Sequence, residues 1–172
     1  MIDLKPLIRE VNDFPKPGIS FKDITTLLKD GKAFQQVVEE FATHFAPMQP
    51  DVIVGAESRG FILGAPLAYK LGCGFVLVRK PGKLPAAVEK VSYELEYGLD
   101  SLEIHVDSIK PGQKVLIVDD LLATGGTINA TAELVTKLGG KIIGFGFLIE
   151  LDFLHGREKL SGHDVLSLVH YD

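Results

Sequence analysis

Apolar positions along this chain fall into short runs of two periods. Leu4, Leu7, Ile8 and Val11 keep helical spacing and predict a short first helix, ended by the two prolines and glycine of NDFPKPG. Phe34, Val37, Val38, Phe41 and Phe45 share one face of a longer helix, with Asp30 as its candidate cap. DVIVGAE at 51–57 is an apolar run opening into Gly, Ala and an acid, the pattern of a buried parallel strand whose last residues reach a site. Helical spacing returns from Gly60 to Leu71 and stops at Gly72, so Pro66 belongs in the first turn of that helix or kinks it. FVLVRK at 75–80 and KVLIVDD at 114–120 are further buried strands. Thr127 to Leu138 places Ile128, Thr131, Leu134, Val135 and Leu138 on one helical side, with Gly139 as the stop. IIGFGFLIEL at 142–151 is a fourth such strand and VLSLV at 165–169 a fifth.

Between Ser92 and Val106 the period changes to two. Tyr93, Leu95 and Tyr97 alternate with glutamates, and Leu102, Ile104 and Val106 alternate after a turn at Gly98 to Ser101. Two such arms predict an antiparallel ribbon, and its long polar face makes it a candidate flap. The remaining strand-helix-strand repetition predicts an α/β fold, a mostly parallel twisted sheet flanked by helices, in one domain over residues 1–172.

Composition narrows the function. The apolar content of 46% is too broken by Gly, Pro and charge to supply the roughly 20 apolar residues of a membrane span. The first residues show no basic segment followed by an apolar one, so they do not read as a secretory signal, and the NAT at Asn129 is discounted as a glycosylation acceptor. Cys73 has no partner cysteine and reads as a small buried residue. A net charge of -5 argues against nucleic acid as a partner, yet Arg79, Lys80, Lys83 and Lys90 cluster, with Arg59 upstream. An acidic chain with a local basic cluster suits a compact polyanion such as a phosphate ester. The histidines are scattered and no pair has zinc spacing, so no metal-ligating residues are assigned.

The sharpest signal is VLIVDDLLATGGT at 115–127. An apolar strand delivers Asp119 and Asp120 to its carboxyl end, and Ala123, Thr124, Gly125, Gly126 and Thr127 lead straight into a helix. Successive glycines let backbone N–H groups converge on an anion, and the helix start adds unpaired N–H groups and the positive end of its dipole. Thr124 and Thr127 can add hydroxyl hydrogen bonds. Two acids beside such a loop do not serve phosphate; they serve sugar hydroxyls, with room for a metal nearby. A nucleoside-triphosphate loop would need Lys followed by Ser or Thr after its glycines, and a dinucleotide loop would place its acid after G-x-G-x-x-G. Neither is present.

These residues resemble the 5-phosphoribosyl 1-pyrophosphate motif of the type I phosphoribosyltransferases. FPKPGISFKDIT at 14–25, ESRGFILGAPLA at 57–68, VRKPGKLP at 78–85, YELEYG at 93–98 and REKL at 157–160 narrow the resemblance to the adenine-using branch, over nearly the whole chain. It implies the type I phosphoribosyltransferase fold with a small hood, to which the loop at 12–27 contributes, and a flap at about 91–106. It implies transfer of 5-phosphoribosyl from the pyrophosphate donor to N9 of adenine, giving AMP and pyrophosphate. Asp119 and Asp120 would then hold the ribose hydroxyls, and Ala123 to Thr127 the 5'-phosphate. Glu57, Ser58, Arg59, Arg79, Lys80 and Lys83 would form the pyrophosphate side, with a Glu57–Ser58 peptide that can be cis. Phe21 would stack on adenine, backbone groups of Ser20 and Arg59 would read its edge, and Leu121 and Leu151 would wall it. Glu96 would manage the N9 proton, and Tyr97 would pack over the site; with Arg59 they are the candidate catalytic residues. Departures from the pattern are Glu57 where many relatives have Asp, Ser20 where many are aliphatic, and Lys22 where many have Arg.

Mg²⁺ bound mainly through the donor's pyrophosphate, a homodimer and a cytoplasmic location also follow from the resemblance. The rival readings are a transferase for hypoxanthine, guanine or xanthine, which would share the donor motif, and a non-catalytic sensor or regulator. FPKPGISF and YELEYG favour adenine; Arg79, Lys83 and Glu96 favour catalysis.

Overall fold

The computed structural model of the chain describes residues 2–94 and 98–172. Strand β1 (Arg9–Asn12) pairs antiparallel with β2 (Ser20–Asp23), and the short helix α1 (Thr25–Leu28) and the long helix α2 (Gly31–Phe45) follow. Then come β3 (Val52–Ala56), α3 (Arg59–Leu71), β4 (Gly74–Val78), and a hairpin of β5 (Val88–Glu94) and β6 (Leu99–His105). The chain continues through β7 (Lys114–Leu122), α4 (Gly126–Lys137), β8 (Lys141–Leu151) and β9 (Val165–Tyr171).

A five-stranded sheet in the order β4-β3-β7-β8-β9 is parallel throughout. Its strands are apolar on both faces because both faces are covered, as parallel sheets require. Along β7, Leu116 and Val118 join Phe41, Phe45, Leu63 and Leu67 of α2 and α3. Val115 and Ile117 join Leu134 and Val135 of α4 and Val91, Leu102 and Ile104 of the hairpin. Gly144 and Gly146 in β8 make room for Phe45, whose ring would lie 3.1 Å from a Cβ at either position.

The start of the chain corrects the sequence reading. Lys5–Leu7 is one 3-10 turn, and Arg9–Asn12 is extended. Leu4 and Ile8 are buried in the core as the spacing suggested, but β2 offers the next residues a ladder, and backbone pairing overrides a periodicity only two turns long. Pro66 lies at the centre of α3 and not in its first turn. The ribbon begins at Val88, earlier than the alternation suggested, and Val91, Leu102 and Ile104 seal one of its faces against the core. Asp30 caps α2 as expected, its Oδ1 accepting from the amides of Lys32 (3.0 Å) and Ala33 (3.1 Å). Cys73 is half-buried beside the α2–α3 core, and burial pushes its thiol pKa up. Among the described residues no helix is long and apolar enough to cross a membrane.

Candidate active site

From the β3–β7 pair the chain proceeds to β4 on one side and to β8 and β9 on the other. The reversal leaves a crevice at the carboxyl ends of β3 and β7, the place where open α/β sheets bind ligands. A cavity of about 350 Å³ occupies it, lined by residues 57–59 from one strand end and 119–128 from the other.

On the β7 side, the loop turns at Gly125, whose φ of +79° a side chain rarely adopts, and α4 begins at the next residue. A Cβ on Gly125 would also lie 2.9 Å from the carbonyl oxygen of Gly156, so the 3-10 turn Gly156–Leu160 buttresses the loop from below. Gly156 is itself required: a Cβ there would sit 2.1 Å from the carbonyl oxygen of Ala123. The first amides of α4, which have no partner within the helix, and the hydroxyls of Thr124 and Thr127 thus belong to the part of the chain that lines this cavity. Asp119 Oδ1 accepts from the amide of Asp120 at 2.9 Å. Burial, reinforced by the charge of Asp120, raises the Asp119 pKa well above the usual carboxylate range.

On the β3 side, the Glu57–Ser58 peptide is cis, and α3 starts directly behind it. Gly60 is pressed against β7, where a Cβ would meet the Val118 carbonyl at 2.9 Å and Asp119 Oδ1 at 3.0 Å. Glu57 gathers the basic cluster: Oε2 accepts from the amide of Lys80 at 2.8 Å and lies 3.3 Å from Arg79 Nε, and Oε1 pairs with Lys83. Burial alone would raise the Glu57 pKa, but the hydrogen bonds from Lys83 and Lys80, with the neighbouring charge of Arg79, outweigh it and hold the carboxyl below its ordinary value. Lys80 extends its amine to Asp100 on the hairpin. Lys90, in contrast, stays exposed on β5.

Arg59 joins this cavity to a second one. Its Nε donates to Asp120 Oδ2 at 2.5 Å, and its guanidinium stands 5.3 Å from the ring centroid of Phe21. Phe21 in turn meets Phe14 edge to face at 5.2 Å. These side chains line a cavity of about 490 Å³ with Val11, Lys22 and residues 23–25. Leu121 lines the first cavity instead, and neither Ser20 nor Leu151 lines the second; Leu151 packs against the α2–α3 core. Glu96 and Tyr97 lie outside the described residues.

Sequence reasoning assigned no role to Asp100, Gly156 or Phe14. Asp100 carried no signal, sitting among other charges beside a turn. REKL marked the neighbourhood of Gly156, but only the packing shows which atom touches the loop. One group among the described residues has metal-like spacing: Glu150, Asp152 and His170 bring ligand atoms within 4.8 Å of one another. Glu150 there already accepts from Arg157 (2.5 and 2.9 Å) and Ser167 (2.6 Å).

The family profile described as "Phosphoribosyl transferase domain" matches residues 24–168. An adenine phosphoribosyltransferase of Desulfitobacterium hafniense is 59% identical over 170 residues, covering 99% of this chain and 98% of that protein. One from Clostridium perfringens is 58% identical over 171 residues, with 99% of each chain covered. The crystal structure of adenine phosphoribosyltransferase from Thermoanaerobacter pseudethanolicus superposes with a TM-score of 0.95 at 58% identity, covering 98% of both chains. That of the Saccharomyces cerevisiae enzyme, complexed with adenine and an imino-altritol bisphosphate, gives 0.91 at 43% identity, covering 96% of both.

Proposed function

The chain belongs to the phosphoribosyltransferase family, in its adenine phosphoribosyltransferase branch, and from that premise we propose how its residues divide the work. The reaction is adenine plus 5-phosphoribosyl 1-pyrophosphate giving AMP and pyrophosphate, a step of purine salvage. The 5'-phosphate sits in the recess of residues 123–127, on amides and the two threonine hydroxyls. Asp119 and Asp120 accept from the ribose hydroxyls. Ser58, Arg59, Arg79, Lys80 and Lys83 face the pyrophosphate, with Glu57 holding its cations in place before the donor arrives.

Adenine stacks on Phe21, and the backbone of Ser20 and Arg59 reads its edge, with Leu121 and Leu151 behind. Arg59 carries this reading. One side chain touches both Asp120 and the Phe21 ring, so ribose on the acids and a base on Phe21 would meet there. As the C1–pyrophosphate bond breaks, negative charge develops on the leaving group and positive charge on the sugar. Pre-placed cations on one side and carboxylates on the other stabilise that separation without reorganising. Glu96 takes the N9 proton or accepts a hydrogen bond from it, and Tyr97 packs over the site.

The cavity lining fits Mg²⁺: it offers the oxygens of Glu57, Ser58, Asp119, Asp120, Thr124 and Thr127, and no His or Cys. Bound chiefly by the donor, the ion would neutralise pyrophosphate oxygens while Asp119 and Asp120 orient the ribose beside it. The reading includes a cytoplasmic homodimer, for which exposed Ile62 and Tyr69 of α3 and Leu77 of β4 supply an apolar face.

The test is pyrophosphate release by the purified chain with the donor and Mg²⁺, comparing adenine, hypoxanthine and guanine. Release with adenine and formation of AMP are expected. Preference for a 6-oxopurine would overturn the base pocket alone, and no release with any base would overturn the transferase.

A further inference from the structure

Tyr93 stands near the end of β5 with its ring against the phosphate loop: a Cβ on Gly126 would lie 3.5 Å from Tyr93 Cδ2. Its hydroxyl is 3.3 Å from Thr127 Oγ1 and 3.2 Å from Asp100 Oδ2, and Asp100 Oδ2 also pairs with the Lys80 amine. Four side chains therefore form an unbroken chain from the 5'-phosphate recess to a cation of the pyrophosphate side.

Counting protons fixes its direction. The hydrogen bond from Lys80 holds the Asp100 carboxyl below its usual pKa, so near neutral pH it is ionised and only accepts. Tyr93 has one proton and must give it to Asp100. The contact to Thr127 then forms only if Thr127 donates, and Thr127 likewise has one proton. A phosphate in the recess competes for that proton, because a dianion's oxygens are stronger acceptors than a phenol. Thr127 cannot donate to both.

We propose that Tyr93 is a positioning residue that ties the hairpin to the phosphate loop through Thr127, and that filling the 5'-phosphate recess breaks this tie. The inference rests on the assignment of residues 123–127 to the 5'-phosphate. The Thr127 proton serves Tyr93 while the recess is empty and the sugar phosphate once it is seated, with Tyr93 held by Asp100 throughout.

The test uses the whole chain, ribose 5-phosphate as the probe, and titration calorimetry in two backgrounds. Tyr93→Phe removes the competing acceptor for the Thr127 proton while keeping the ring. It should bind ribose 5-phosphate more tightly than the parent by roughly 2- to 10-fold, the span of one net hydrogen bond. A residue that merely supports the fold would change in the other direction, so weaker or equal binding overturns the proposal. In a Thr127→Val background, which lacks the contested proton, the same Tyr93→Phe change should leave binding unaltered. An equal gain in both backgrounds would sink the tie and leave the site assignment standing, whereas no binding by the parent would overturn the site assignment and the tie together.

Discussion

At the scale of single residues, the acid pair shows how one motif can carry two environments. Asp120 is buried but has Arg59 as a counter-ion, whereas Asp119 is beside a second carboxylate and accepts from the amide of Asp120. Its raised pKa has a defined consequence for stability. A carboxyl that titrates higher in the folded chain than in the unfolded one takes up a proton on folding. Its favourable contribution is therefore lost as pH climbs from the ordinary carboxylate range through the raised value. Asp119→Asn removes that loss. We expect a higher melting temperature at pH 7, where roughly 2–4 °C corresponds to about 1 kcal/mol in a chain of this size. The advantage over the parent should shrink as pH is lowered toward 4 in calorimetric melts. The same change should lower kcat/KM for the donor by roughly 10- to 100-fold, the cost of weakened hydrogen bonds to a charged acceptor. A more stable but slower variant is the signature of a residue kept for chemistry. Asp119→Asn melting lower than the parent at every pH would contradict the assignment.

At the scale of elements, each side of the site is the junction of a strand with a helix. Strand β7 carries the acids near its end and turns through Gly125 into α4; β3 ends at Ala56 and passes through Glu57 and Ser58 into α3. Both junctions need glycine because a helix start is pressed against neighbouring backbone, at Gly60 on β7 and at Gly125 on Gly156. Helix α2 has no such duty. Its cap, Asp30, satisfies two amides, and neither Asp30 nor any residue of α2 lines the two cavities. Asp30→Ala should cost about 1 kcal/mol in urea unfolding and leave the Michaelis constants for donor and adenine unchanged. A change in either constant would mean that α2 reaches the site through the core. The elements also show where spacing was a good guide. Helix α4 and the strands containing VLIVDD and IIGFGFLIEL were legible because each periodic run is long or strongly apolar. The first eleven residues were not, because a helix of two turns is marginal and a strand partner eight residues downstream decided the outcome.

At the scale of the whole molecule, the sheet order places both junctions in one crevice and leaves α3 and β4 at an edge. Tyr69 of α3 is 91% exposed, with Ile62 and Leu77 also open to water. On the proposed homodimer, Tyr69→Asp should shift the chain toward monomer in sedimentation velocity at micromolar concentration. If the variant sediments as the parent does, this face is not where the copies meet.

Sequence alone determined the alternation of strands and helices, the acid pair, the glycine loop and the basic cluster. These are local properties, set by the period of the side chains and the conformations glycine allows. It also named Phe21 and Arg59, but by resemblance, since nothing local relates a loop aromatic to an arginine 38 positions later. The tertiary structure decided which groups meet. It put Arg59 between Asp120 and Phe21, gathered Arg79 and Lys83 on Glu57, set the Gly156 turn beneath the phosphate loop, and joined Tyr93 to Thr127 and Asp100. Neither Ser20 nor Leu151 is among the residues that line the Phe21 cavity. Such pairings depend on strand order and on the register of packed faces. Those are fixed by burying the whole apolar surface at once, which no short stretch of sequence can specify by itself.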